Sequence, residues 1–130
     1  MKYKKFEELP IWQLAIKLTK IVYDITIKPS FVKDFGLKDQ VRRAAVSISA
    51  NIVEGFEKNN NNEFIRFLRI AKGSAGETRN HFYIAKSVGY IDQREFDVIN
   101  SDLEKLANEI GGFIVYLDNF RKKQSVIRNS

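Results

Sequence analysis

Cysteine is absent and histidine occurs once, as His81. A chain without thiols has no disulfide framework, no cysteine nucleophile and no Cys-ligated zinc or iron–sulfur site. A lone imidazole likewise leaves a His-based metal site or a His triad without partners. No nucleophile elbow, Gly-rich phosphate loop or metal-ligand cluster occurs, so an enzyme is the least expected class. No metal and no cofactor are implied. Glu54 and Glu77 could in principle do acid–base work, while His81 reads as a satisfied, partly buried imidazole at the core margin. The 2 prolines and 7 glycines are too few to punctuate a many-turned β protein. No apolar run approaches the roughly 18 residues of a membrane span, and no signal peptide or lipidation site is evident. The expected setting is the cytoplasm, with no membrane partner.

What is present is ordinary for a single globular domain: 130 residues, 44% hydrophobic and 29% charged. The net charge of +6 and the sequence pI near 9.5 favour anionic partners, nucleic acid first among them. Four segments carry helical periodicity. Ile11, Leu14, Ala15, Leu18, Ile21, Val22 and Ile25 form one apolar face, ended at Lys28-Pro29-Ser30 because proline cannot continue a helix. Leu37, Val41, Ala45, Ile48, Ile52 and Phe56 form a second stripe, closed by Gly55 and the run from Lys58 to Asn62, whose last asparagines can cap the next helix. Phe64, Leu68, Ala71, Ala75, Phe82 and Ala85 form the third, with Gly89 as its stop. The fourth opens on Asp92 and Glu95 at capping-box spacing and carries Phe96, Ile99, Leu103, Leu106, Ile110, Phe113, Leu117 and Phe120.

These patterns predict an all-α fold, an antiparallel up-down-up-down four-helix bundle over residues 9–120. Its helices span about 10–27, 35–57, 62–88 and 92–122, between an N-terminal extension, 1–8, and a basic tail, 121–130. Charge is segregated: residues 61–90 hold five Lys/Arg against two Glu, residues 91–120 two against seven Asp/Glu, and the tail four cations.

Helices 1 and 2 carry more apolar surface than one core needs. Trp12, Ile16 and Tyr23, with Val46, Ala50 and Val53, lie beside the main stripes and predict burial between subunits; scattered exposed apolar atoms are the bland alternative. Beside this second stripe runs a polar row of Arg43, Ser47, Asn51 and Glu54, with Glu77 opposite. It reads as a structural network, Glu54 and Glu77 pairing Arg43, Arg66 or Arg69, more readily than as a ligand site. Gly73, Gly76 and Gly111-Gly112 predict close approach of neighbouring helices, since mid-helix glycine costs about 1 kcal/mol relative to alanine.

The string from Gln40 to Phe56, QVRRAAVSISANIVEGF, resembles the four-helix-bundle family of 23S ribosomal RNA intervening-sequence proteins. Leu9-Pro10-Ile11-Trp12, Glu63 to Leu68, Ala71 to Glu77 and Gly89-Tyr90-Ile91 extend the resemblance over about residues 6–120. Ser49 stands where the family often has proline, which softens any kink there. The resemblance implies a left-handed bundle assembled as a ring-like homo-oligomer, a pentamer, with no enzymatic activity. It also implies kinship with the accessory protein of diversity-generating retroelements, which engages nucleic acid and a reverse transcriptase.

The first functional expectation is therefore a homo-oligomer that binds RNA or DNA by charge and shape with little base specificity. Its phosphate contacts would be Arg42, Arg66, Arg69, Lys72, Arg79, Arg121, Lys122 and Lys123, against the plainer reading of a solvated charged face. The alternative is a protein–protein adaptor for a nucleic-acid enzyme or ribonucleoprotein.

Overall fold

Proline at position 10 suits the first turn of a helix, where a missing N–H costs nothing, and α1 runs from there, Pro10–Thr26. Three further helices follow in the computed structural model: α2, Phe35–Glu57, α3, Asn61–Ser87, and α4, Gln93–Asn129. A single 3₁₀ turn, Phe6–Glu8, precedes them. The structure describes the backbone of residues 1–129 and the side chains of residues 1–120, 122 and 123.

Side-chain caps set the starts of the other three helices, α2, α3 and α4. Asp34 accepts the Leu37 N–H at 3.0 Å to start α2, and Asn60 accepts the Glu63 N–H at 3.0 Å to start α3. Asp92 and Glu95 make the reciprocal box at α4, with the Glu95 N–H donating to Asp92 at 2.8 Å and the Asp92 N–H to Glu95 at 3.3 Å. Gly89 ends the α3 region at φ 83°, a conformation that favours glycine. No proline or glycine follows Gly112, and the segment from Arg121, expected as a separate tail, continues the backbone of α4.

Neighbours in sequence are neighbours in space, and each pair is antiparallel. Thr19 and Arg42 tie α1 to α2, the Ser47 and Ser74 hydroxyls sit 2.9 Å apart between α2 and α3, and Tyr83 packs on Phe96 between α3 and α4. The α2–α3 and α3–α4 interfaces are the most extensive, and α1–α4 closes the bundle with the least contact. The core follows the stripes: Ile11, Ala15, Leu18 and Val22 face Val41, Ala45, Ile48 and Ile52, with Phe64, Leu68, Phe82, Ile99, Leu103, Leu106 and Ile110 completing it.

Leu9, Phe31 and Ile91 are buried from outside the helices. Phe31 draws the α1–α2 loop onto the α3–α4 loop, its ring 5.3 Å from that of Tyr90. Ser30 donates to the Tyr90 carbonyl at 2.8 Å, Lys28 pairs with Glu95, and the Tyr90 hydroxyl donates to Asp34 at 2.9 Å. The Leu37 N–H and then the Tyr90 hydroxyl hold the Asp34 carboxyl below the usual carboxylate range, and the same bond to Asp34 pushes the Tyr90 phenol up.

A pH window follows. The lowered Asp34 adds stability that is fully present above its ordinary value of 3.8 and is lost as pH falls below that through its lowered value; the raised Tyr90 adds stability fully present below 10.0 and lost as pH rises through its raised value. Tyr90→Phe is expected to lower the urea midpoint at pH 7, with the gap from wild type closing on the acid side of pH 3.8. A gap that stays constant from pH 2 to pH 8 would remove the Asp34–Tyr90 bond as its source.

Candidate nucleic-acid interface

Helical spacing sorts the cations of α3 into two rows. Lys72 and Arg79 share the edge that faces α4, while Arg69 and then Arg66 lie progressively further round on the outer surface. Lys72 reaches over α4 where it has no side chain: its Nζ would lie 3.5 Å from a Cβ at Gly111. Lys122, eleven residues beyond Gly111 and so on the same edge of α4, holds Asp118 at 3.3 Å and stays 69% exposed. Lys123 is exposed beside it, and the Arg121 side chain lies outside the described residues.

Several of these cations are already engaged. Arg79 donates to Asn100 at 2.8 Å and to Glu104 at 3.0 Å, and Asn100 also donates to Glu104 at 2.9 Å, a closed triad across the α3–α4 seam. Arg66 donates to Glu63 at 2.8 Å and lies over the Phe67 ring at 4.4 Å. That hydrogen bond holds Glu63 below the usual carboxylate range and raises the guanidinium of Arg66. Arg42 is elsewhere, on the α1–α2 seam, with its guanidinium 4.3 Å from the Tyr23 ring and a 2.8 Å bond to Thr26. Arg69 and Lys72 make no hydrogen bond or ion pair with the described residues. The eight expected phosphate ligands therefore do not form one patch; Arg69 and Lys72 are the exposed cations of α3 left without a partner among the described residues.

The polar row between α2 and α3 also differs from expectation. Asn51 donates to the Ser47 carbonyl at 2.8 Å and to its hydroxyl at 3.0 Å, which with Ser74 makes a small hydroxyl–amide network. Glu54 pairs with Lys58 at 3.5 Å, one turn away, and not with an arginine of α3. Arg43 and Glu77 make no ion pair among the described residues; both line an open groove of about 430 Å³ with Gln40, Ala44, Ser47 and His81. His81 is not satisfied as expected: its Nδ1 is buried with no hydrogen-bond partner. The helix glycines are another correction. A Cβ at Gly73, Gly76 or Gly112 would meet nothing within 4 Å among the described residues, so these glycines are not sites of close helix approach within that part of the chain. The close approach is at Gly55, where a Cβ would stand 2.8 Å from that of Phe67. Its place in the quoted string offered no sign of this, because the contact partner belongs to the next helix.

The apolar surplus does converge. With Tyr23 against Arg42 and Thr19 against Ala45, the register carries Ile16 past Val46 and Trp12 toward Val53, making one strip along the α1–α2 seam. Ile16 and Val46 are each 43% exposed and Tyr23 41%, whereas Trp12 and Val53 are half-buried and Ala50 lies on the outer face. No helix is long and apolar enough to cross a membrane, and no three potential ligands cluster for a metal ion, among the described residues.

Comparison with known proteins agrees with this architecture. The family model described as 23S rRNA-intervening sequence protein matches residues 7–112. The chain belongs to the 23S rRNA-intervening sequence protein family. A crystal structure of a protein of unknown function from the S23 ribosomal protein family, from Bacteroides thetaiotaomicron, superposes with a TM-score of 0.73 at 23% identity. The match covers 80% of this chain and 97% of that one, and it shows the shared fold alone. No curated protein matches the sequence. The family match ends at residue 112, so Lys122 and Lys123 of the basic edge lie beyond it.

Proposed function

We propose that this member of the family is a non-enzymatic, ring-like homo-oligomer, a pentamer, that binds nucleic acid through the α3–α4 edge with little base specificity. One observation carries the reading: Arg69 and Lys72 stand exposed on α3 with no hydrogen bond or ion pair among the described residues, while Glu104 and Asp118 of α4 are engaged by Arg79 and Lys122. Unpaired cations in a row cost nothing to present to phosphates and release counterions when they bind. The apolar strip on the α1–α2 seam supports assembly, because contiguous exposed apolar surface marks interfaces. A ring repeats a modest patch, and repeated weak contacts on one strand add through effective concentration. A family described by 23S rRNA intervening sequences makes RNA the favoured partner.

Anisotropy of labelled single-stranded RNA, single-stranded DNA and duplex DNA across a salt series tests this. Binding is expected to fall steeply with salt, and the Arg69→Ala, Lys72→Ala double variant is expected to flatten the single-strand salt slope by about 1.4. Native mass spectrometry of the same samples reads the assembly, and a monomer would remove the ring. Absence of binding at low salt would leave the apolar strip as the functional surface and an adaptor for a nucleic-acid enzyme as the reading.

A further inference from the structure

The α2–α3 groove is not explained by phosphate contacts. Its floor is Ala44, 4% exposed, and Ser47, whose hydroxyl is fixed by Ser74 and Asn51. Its walls are Gln40 and Arg43 on α2 and Glu77 and His81 on α3. A guanidinium and a carboxylate line one groove yet stand beyond 4.0 Å of each other, and neither takes any other partner among the described residues. The His81 ring forms the wall one turn beyond Glu77, and its orphaned Nδ1 means that packing, not a hydrogen bond of the fold, sets its position. At about 430 Å³ the groove is within the size range of small-ligand sites.

The chemistry asks for a ligand that offers acceptors to Arg43 and donors to Glu77. Among nucleobases, guanine presents the acceptors O6 and N7 on one edge, the pair that arginine reads. Its neighbouring Watson–Crick edge presents N1–H and an N2 amino group, two parallel donors that match the two oxygens of a carboxylate. Adenine and cytosine place a bare ring nitrogen beside their amino group, which repels a carboxylate, and uracil has a single N–H between two carbonyls. We propose that the Gln40–Arg43–Glu77–His81 groove receives one unpaired guanine base. The inference rests on the proposed nucleic-acid binding for how the base arrives. It adds a base preference at one point on a strand otherwise held by its phosphates.

His81 is the sole histidine, so its imidazole proton resonances report on the groove without ambiguity. The full chain is titrated with GMP, AMP, CMP and UMP while those resonances are followed, and oligouridylate binding is measured separately by anisotropy. GMP is expected to shift His81 saturably, with the other three nucleotides at least tenfold weaker. Glu77→Gln is expected to weaken GMP at least tenfold. Removing a negative charge would by itself tighten binding of an anionic nucleotide, so a loss isolates the missing acceptor pair. Equal shifts from GMP and AMP, no shift at all, or a Glu77→Gln variant that binds GMP like wild type would each overturn the groove assignment. If oligouridylate binds without any guanine preference, the groove assignment falls and the phosphate reading stands. Guanine selectivity with no oligouridylate binding keeps the groove and removes the phosphate reading.

Discussion

Phe82→Ala is expected to cost about 3–5 kcal/mol, the usual range for deleting a fully buried aromatic ring and leaving a cavity. Phe82 has no exposed surface and sits in α3, the helix that packs extensively on both α2 and α4, so collapse around the hole would require two interfaces to shift. A domain of this size holds about 5–15 kcal/mol in total, so the variant would lose a large share of its stability. Urea unfolding followed by far-ultraviolet circular dichroism measures it, with an unchanged slope showing that the same two states are compared. A loss under about 1 kcal/mol would mean that the ring is not enclosed as described.

Gly55→Ala is the second large effect, and its sign runs against helix propensity. Alanine gains about 1 kcal/mol over glycine inside an exposed helix. At Gly55 the added Cβ would stand 2.8 Å from Phe67 Cβ and 3.3 Å from Phe64 Cα. Those atoms are close to the α3 backbone and cannot swing away, so α2 and α3 must separate. Overpacking of this kind costs about 1–3 kcal/mol, and the substitution is expected to destabilise. The same exchange at Gly73 or Gly76, where nothing lies within 4 Å, should stabilise an isolated subunit by up to about 1 kcal/mol. The three variants measured side by side in urea decide the matter: a Gly55→Ala protein as stable as the Gly73→Ala protein would mean that α2 and α3 do not meet closely at Gly55.

The two glycine sites illustrate what could be read from the chain. Glycine in mid-helix announces that some Cβ is unwelcome, or that none is needed, and local sequence cannot separate the two. The partner of Gly55 belongs to the next helix, and only the register of α2 on α3 brings Phe67 beside it. The cations of the basic edge behave similarly. Their type and helical phase are legible, but Arg79 meets Glu104 and Arg42 meets Thr26 across 25 and 16 residues of chain, and those meetings decide which charges remain to offer a ligand. The asparagine and aspartate caps, by contrast, act over three residues and were legible as written. The seam residues Ile16, Tyr23 and Val46 were also legible as surplus, since a stripe off the core phase is visible in one helix at a time.

The four helices, the caps that open α3 and α4, the phase of the core stripes and the uneven spread of charge are all legible in the chain alone. Each of these depends on neighbours within a turn or two, where the 3.6-residue repeat and side-chain caps act. Tertiary structure alone decided that Phe31 locks one loop onto another, that Gly55 is a contact point, and that Arg43 and Glu77 face one groove unpaired. Those outcomes depend on the register between helices, which is set by the packing of all the stripes together and is written in no single segment.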